Sequence, residues 1–156
     1  MEQLLLLVMF PSHDPYGRGD RKINVVVDYK GQLGKTEFIR ALAMKYEDLI
    51  VTGGKSADMK HQIVEYKLST GKCPKIVFID IPRKNKDFVS WGGIEEVKNM
   101  LFYSGKFEGG MIIGNKPFVC VMTNDMPDLS VLSADRWQIK EFGEKPKEKT
   151  TDYLGY

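Results

Sequence analysis

Gly31-Gln32-Leu33-Gly34-Lys35-Thr36 stands between the apolar run Ile23 to Val27 and a segment patterned as an amphipathic helix. An apolar strand, a glycine-bearing loop and a helix, in that order, form the setting in which a chain grips phosphate. Several main-chain N–H groups must converge on the anion, and residues without a Cβ let the backbone close around it. Gly31 and Gly34 supply that freedom, with Gln32 and Leu33 between them. Lys35 is placed to reach the β and γ phosphates of a nucleoside triphosphate, and Thr36 to offer its hydroxyl to Mg²⁺. The helix then presents its positive N-terminal end to the charge. Phe38, Ile39, Leu42, Ala43 and Tyr46 recur at helical spacing, with Arg40 and Lys45 opposite. In the usual pattern a glycine sits six residues before the lysine; here that place is Tyr29. The loop is therefore shorter or differently shaped, and an ordinary turn before a helix is the alternative reading of the hexapeptide.

Outward from this loop, short apolar runs alternate with helix-patterned segments, the pattern of a parallel sheet with helices on its faces. The expected strands are Ile23 to Asp28, Leu49 to Thr52, Lys75 to Ile81, Phe118 to Thr123 and Trp137 to Glu141. Thr36 to Tyr46 and Ala57 to Leu68 read as helices, and Ile94, Val97 and Leu101 mark one face of a third. Between Tyr103 and Lys116, glycines at 105, 109, 110 and 114 bracket two short runs, which predicts a hairpin. At 156 residues, with 42% hydrophobic and 28% charged, the composition is that of one globular domain. We expect an N-terminal helix end and linker over 1–19, the domain proper over 20–143, and a polar tail over 144–156.

A formal net charge of +2 is too small to imply a polyanion partner by itself. Cys73 and Cys120 are the only cysteines, and Cys120 lies in an apolar run, which points to a reducing, intracellular setting. Leu4 to Phe10 is apolar but too short to span a bilayer, and Glu2 replaces the basic start of a secretory signal. No membrane association is expected.

Three further elements carry chemistry. Ile76-Val77-Phe78-Ile79-Asp80 is an apolar strand ending in an acid, which sets a carboxylate beside the phosphates to hold Mg²⁺ with Thr36. Ile81 and Pro82 follow where a second acid often stands, so the general base is left open among Glu95, Glu96 and Asp125. Phe118 to Thr123 ends in Asn124, whose amide can donate and accept at once and so orient water or sense the γ phosphate. Its alternative is a turn residue before Pro127. Ser133-Ala134-Asp135-Arg136-Trp137 offers an arginine able to complete a neighbouring subunit's site, or else a surface Asp135 to Arg136 pair.

In order and spacing these elements resemble the superfamily 3 helicase domain of the Rep replication initiators of circular single-stranded DNA viruses and related plasmids. The stretches that carry the likeness are DRKINVVVDYKGQLGKTEFIRALAMKY, KIVFIDIPR, IEEVKNMLFYSGKFEGG, KPFVCVMTND and LSADRW, covering about residues 20 to 141. The resemblance implies an α/β, three-layer P-loop NTPase fold. It has a mainly parallel five-stranded sheet, an AAA+-like strand order and a hairpin between the Walker B and motif C strands. It implies ATP and Mg²⁺ as cofactors, Lys35 and Thr36 as the Walker A pair, and Asp80 as the Walker B acid. Asn124 matches the motif C polar residue and Arg136 the arginine finger. Lys106, with Lys98 and Lys116 behind it, is the implied DNA contact on a hairpin facing the channel of a hexameric homo-oligomer. Such a lysine grips phosphate and reads no sequence.

The resemblance implies translocation on single-stranded DNA, in the host nucleus for a eukaryotic virus or the cytoplasm for a plasmid. The alternatives are an RNA helicase of the same superfamily, a degenerate nucleotide-binding or oligomerisation module, and a small P-loop kinase. Initiators of this kind usually begin with a nuclease domain that uses paired histidines. His13 and His61 are far apart, and Tyr103 and Lys106 have the nucleophile's Tyr-x-x-Lys spacing at a place between ATPase motifs. No origin nicking is expected from this chain. Arg18-Gly19-Asp20 reads as a turn.

Overall fold

The computed structural model describes residues 21–105 and 110–147, apart from the side chains at 86 and 87. Leu4 to Phe10, Arg18-Gly19-Asp20, Lys106 and the tail beyond 147 lie outside the described residues. In chain order the elements are β1 (Ile23–Asp28), α1 (Lys35–Lys45), β2 (Leu49–Thr52), α2 (Ser56–Thr70) and β3 (Ile76–Asp80). A 3-10 helix (Arg83–Phe88) leads to α3 (Trp91–Asn99), the strands β4 (Leu101–Ser104) and β5 (Gly110–Ile113), then β6 (Phe118–Thr123). Two short 3-10 turns precede β7 (Trp137–Phe142).

Five strands form one sheet in the order β2-β3-β6-β1-β7, and every pairing in it is parallel. Asn24 stands opposite Cys120 and Gln138, and Phe78 opposite Val51 and Cys120. Strands buried on both faces have no need of polar alternation, which is why β1, β3 and β6 are near-continuous apolar runs. Residues two apart still share a face. Ile23, Val25, Val27, Val77, Ile79, Val119 and Val121 pack against Met59 and Ile63 of α2 and Ile94 and Val97 of α3. Val26, Phe78, Cys120 and Met122 turn the other way, onto Phe38, Ile39 and Leu42 of α1. The result is three layers, with each buried aliphatic or aromatic side chain contributing about 1.5–3 kcal/mol over its exposed state. Asn24 is the polar residue inside β1, ahead of the terminal Asp28, and its Nδ2 is satisfied by the Val119 carbonyl at 3.1 Å.

The third helix is shorter than its apolar spacing suggests. Met100 adopts a left-handed backbone (φ 44) and closes α3, so Leu101 begins β4 and is 53% exposed. The hairpin accordingly starts two residues before the expected Tyr103 and is built from β4 and β5, with Leu101 opposite Ile113 and Tyr103 opposite Met111. These four side chains are exposed together on its outer face. The Cys120 thiol is fully buried, and burial pushes its pKa up, in keeping with an inert core residue. Among the described residues, no helix is long and apolar enough to cross a membrane.

Candidate nucleotide site

The C-terminal ends of β1 and β6 open onto the glycine loop, and β3 ends beyond β6. Asp28 closes β1 and is almost fully buried. Its Oδ1 accepts from the Gly31 N–H at 2.9 Å and its Oδ2 from the Leu33 N–H at 3.1 Å, which holds the loop from beneath. Gly31 (φ 72) and Gly34 (φ 69) both lie in the left-handed region, where a side chain strains the backbone. That is the requirement read from the sequence, now met at both glycines. The first helical bond of α1 runs from Phe38 N to Gly34 O, and no side chain caps the helix. The N–H groups of Lys35, Thr36 and Glu37 therefore precede the helical ladder, as an anion site needs.

Lys35 is half-buried, and its Nζ donates to the Thr123 carbonyl at 3.2 Å, so the ammonium sits between the loop and the end of β6. Burial lowers its pKa, and the nearby Asp28 and Asp80 carboxylates pull the other way. Thr36 is exposed on the first turn of α1. Asn124 follows β6 and donates from Nδ2 to the Asp28 carbonyl at 2.8 Å, tying that strand end to the root of the loop. Asp80 ends β3 opposite Met122. It therefore lies one strand further out than a direct neighbour of β1, with β6 between. It also lines a cleft of about 140 Å³ with Gly54, Lys55, Asp58 and Asn85.

Tyr29, in the place of the usual glycine, reaches across to β7 with its side chain. Its hydroxyl donates to Glu141 Oε1 at 2.6 Å and is pushed up to about 12, chiefly by that bond. A tyrosine is tolerated here because the ring is anchored on β7.

Arg83 was quoted in the sequence only as the end of KIVFIDIPR, yet it reaches the loop. Pro82 is extended (φ −63, ψ 151), the chain turns into the 3-10 helix, and Arg83 Nη2 donates to the Tyr29 carbonyl at 3.2 Å. A Cβ at Gly31 would stand 3.3 Å from Arg83 Nη2 and 3.5 Å from Asn124 Nδ2. The signal was present in the sequence as a cation just past the acid-ending strand.

Other expected site residues are placed elsewhere. Arg136 is 3% exposed and donates to Glu95 Oε1, Asn99 Oδ1 and the Arg21 carbonyl, so it is committed within its own subunit. This departs from an arginine finger, which needs a free guanidinium at a subunit surface. Glu95 is thereby engaged away from the loop, and Glu96 pairs with Lys60 at 2.7 Å. Of the three acids considered as a base, Asp125 is the one beside the loop, following Asn124 and acting on the charge of Lys35. Lys98 is 1% exposed, with its Nζ bonded to the Pro117 carbonyl at 2.8 Å. A buried lysine cannot touch a nucleic-acid backbone, so that expectation is corrected. Lys116 is half-buried just before β6.

The residues present fit a Mg²⁺ nucleotide in their chemistry: glycine amides, a lysine, a hydroxyl, a carboxylate and an amide side chain around one end of the sheet. Among the described residues, no group of three or more His, Cys, Asp or Glu side chains stands together as a metal site. A metal here would draw on phosphate oxygens and water, as Mg²⁺ commonly does.

The chain's homologues are viral and alphasatellite replication proteins. It is 37% identical over 122 residues to Para-Rep C9 of Faba bean necrotic yellows C9 alphasatellite, covering 77% of this chain and 41% of that protein. It is 36% identical over 121 residues to Para-Rep C3 of Milk vetch dwarf C3 alphasatellite, covering 76% and 40%. The master replication protein of Banana bunchy top virus is 34% identical over 116 residues, covering 74% of this chain and 38% of that protein. The chain thus spans about two fifths of the length of the curated relatives it matches. No protein-family model matches the chain, and no solved structure matches it with significance.

Proposed function

We propose that this chain is the ATP-driven helicase module of a rolling-circle replication initiator, acting on single-stranded DNA as a homo-oligomeric ring. The observation that carries the reading is the meeting of Lys35, Asn124 and a loop with two left-handed glycines at the ends of β1 and β6. The likeness to replication proteins supplies the biological setting.

In this reading the amides at the start of α1 cradle the inner phosphates and Lys35 reaches the β and γ phosphates. The Gly31 and Leu33 amides stay with Asp28 and hold the loop. Thr36 and Asp80 would hold Mg²⁺, which would supply positive charge to the phosphate oxygens. Asn124 orients the attacking water, and Asp125, the one of the three candidate bases beside the loop, receives its proton. The hairpin of β4 and β5, with Lys106 between them in sequence and Lys116 after them, contacts the strand. Binding at the loop moves β6 through Asn124, and β6 follows directly on that hairpin.

ATP turnover by the whole chain, with and without single-stranded DNA, tests this for wild type and Lys35→Ala. Wild type hydrolyses ATP, faster with DNA, and Lys35→Ala is inactive. Equal turnover by the two proteins refutes the site, and stronger stimulation by RNA than by DNA changes the strand.

A further inference from the structure

We propose that Arg83 is the cation that recognises the terminal phosphate, supplied by the same subunit that holds the rest of the nucleotide; this rests on the nucleotide reading of the loop. Arg83 Nη2, Asn124 Nδ2 and the α carbon of Gly31 meet at one point, where even a methyl group on Gly31 would press on the guanidinium at 3.3 Å. The position is fixed from the sequence upward. The buried β3 ends at Asp80, Pro82 forces an extended turn, and the 3-10 helix opening at Arg83 sends its side chain back over the strand ends.

The hydrogen bonding of Arg83 leaves it capacity for a ligand. Among the described residues its hydrogen bond is to one neutral carbonyl, that of Tyr29, whereas a guanidinium carries five donors in a planar fork suited to phosphate. Arg83 and Lys35 are also close enough for their like charges to oppose one another. Two cations brought together at a loop of main-chain N–H groups form a setting for a polyanion more negative than the Asp28 and Asp80 carboxylates alone provide. Phosphoryl transfer needs positive charge on the transferring group, and an arginine can bring it from the same subunit or from a partner. With Arg136 buried and paired, Arg83 is the arginine at the site itself.

The assignment is specific to the γ phosphate. Gly31 lies three residues before Gly34, at the end of the loop remote from the helix, so with the inner phosphates on the amides of α1 the outermost phosphate falls to Arg83. An interaction made only with ATP must show as a preference for ATP over ADP.

The test is binding of fluorescent ATP and ADP analogues, and phosphate release, with Mg²⁺, by the whole chain as wild type, Lys35→Ala, Arg83→Ala and Arg83→Lys. For Arg83→Ala we expect ADP affinity within about twofold of wild type, and the ATP-to-ADP preference reduced about tenfold. Turnover should fall about 10³-fold, and Arg83→Lys should restore part of the preference. A purely structural role, bracing the loop through the Tyr29 carbonyl, would weaken ATP and ADP equally. An unchanged preference in Arg83→Ala, whether both nucleotides bind normally or both bind weakly, overturns the proposal while inactivity of Lys35→Ala leaves the nucleotide site standing. Failure of the wild type to bind either nucleotide overturns both.

Discussion

The guanidinium of Arg136 meets the carboxylate of Glu95 at 3.3 Å, fastening the start of β7 to α3. The same nitrogen reaches Asn99 Oδ1 at 3.2 Å, and Nη1 reaches the Arg21 carbonyl. Among the described residues the buried Nε lacks a partner, which makes the site costly to build and more costly to half-dismantle.

Arg136→Ala should therefore destabilise the fold by about 2–4 kcal/mol, since it strips a buried cation from its acceptors. Urea unfolding reads this directly. A finger donated to a neighbour would instead leave the unfolding midpoint unchanged and lose only turnover, with recovery on mixing subunits.

Lys35 behaves in the opposite sense. Its folded pKa is lowered, chiefly by burial, so the folded chain releases that proton before the unfolded chain does. Below its ordinary pKa of 10.5 the charged lysine subtracts from stability, and the penalty fades as pH rises towards that value. Lys35→Met should keep or raise the urea midpoint at neutral pH while abolishing ATP turnover. A clearly lower midpoint would contradict this.

Tyr29 offers a spectroscopic check on how the loop is anchored. Its hydroxyl titrates near 12, against an ordinary 10.0, because it donates to Glu141. The stabilisation is complete below pH 10 and is lost as pH climbs through 12. The wild-type minus Tyr29→Phe difference in phenolate absorbance should rise late, near pH 12, and move towards 10 in a Glu141→Gln background. A difference curve centred at 10 in the wild-type background would remove the bond.

Close packing at the hairpin's exit gives a coupling experiment. A Cβ at Gly114 would stand 2.7 Å from Cys73 Sγ and 3.1 Å from Met100 Cγ. Gly114→Ala should cost about 1–3 kcal/mol through overpacking. Adding Cys73→Ala should recover part of that loss, whereas strictly additive effects would argue against the contact.

The sequence made the central strands and α1 legible because burial imposes periodicity. It failed where a single backbone angle or a side chain's destination decided the outcome. Ile94, Val97 and Leu101 fit one helical face, but the left-handed Met100 ends the helix before Leu101. Lys98 stood among the expected nucleic-acid contacts, whereas it is buried and its ammonium finds the Pro117 carbonyl. Arg83 and Arg136 were indistinguishable as letters. Their roles differ because one follows a strand end at the loop and the other is enclosed beside α3. Gly31 and Gly34 were legible because a positive φ leaves a compositional mark, whereas Gly71 and Gly143, which share that backbone, carried no motif to single them out.

The order β2-β3-β6-β1-β7 sets a timetable for the chain as it leaves the ribosome. Among the described residues the first strand made, β1, is flanked by the last two, β6 and β7, so neither of its edges gains these neighbours until residues 118–142 have emerged. β2 and β3 can pair much sooner, whereas the glycine loop hangs from a strand without neighbours until β6 has been made. Nascent fragments halted before β6 would present that bare apolar strand to chaperones, and the loop gains its Thr123 and Asn124 contacts only when β6 has joined β1.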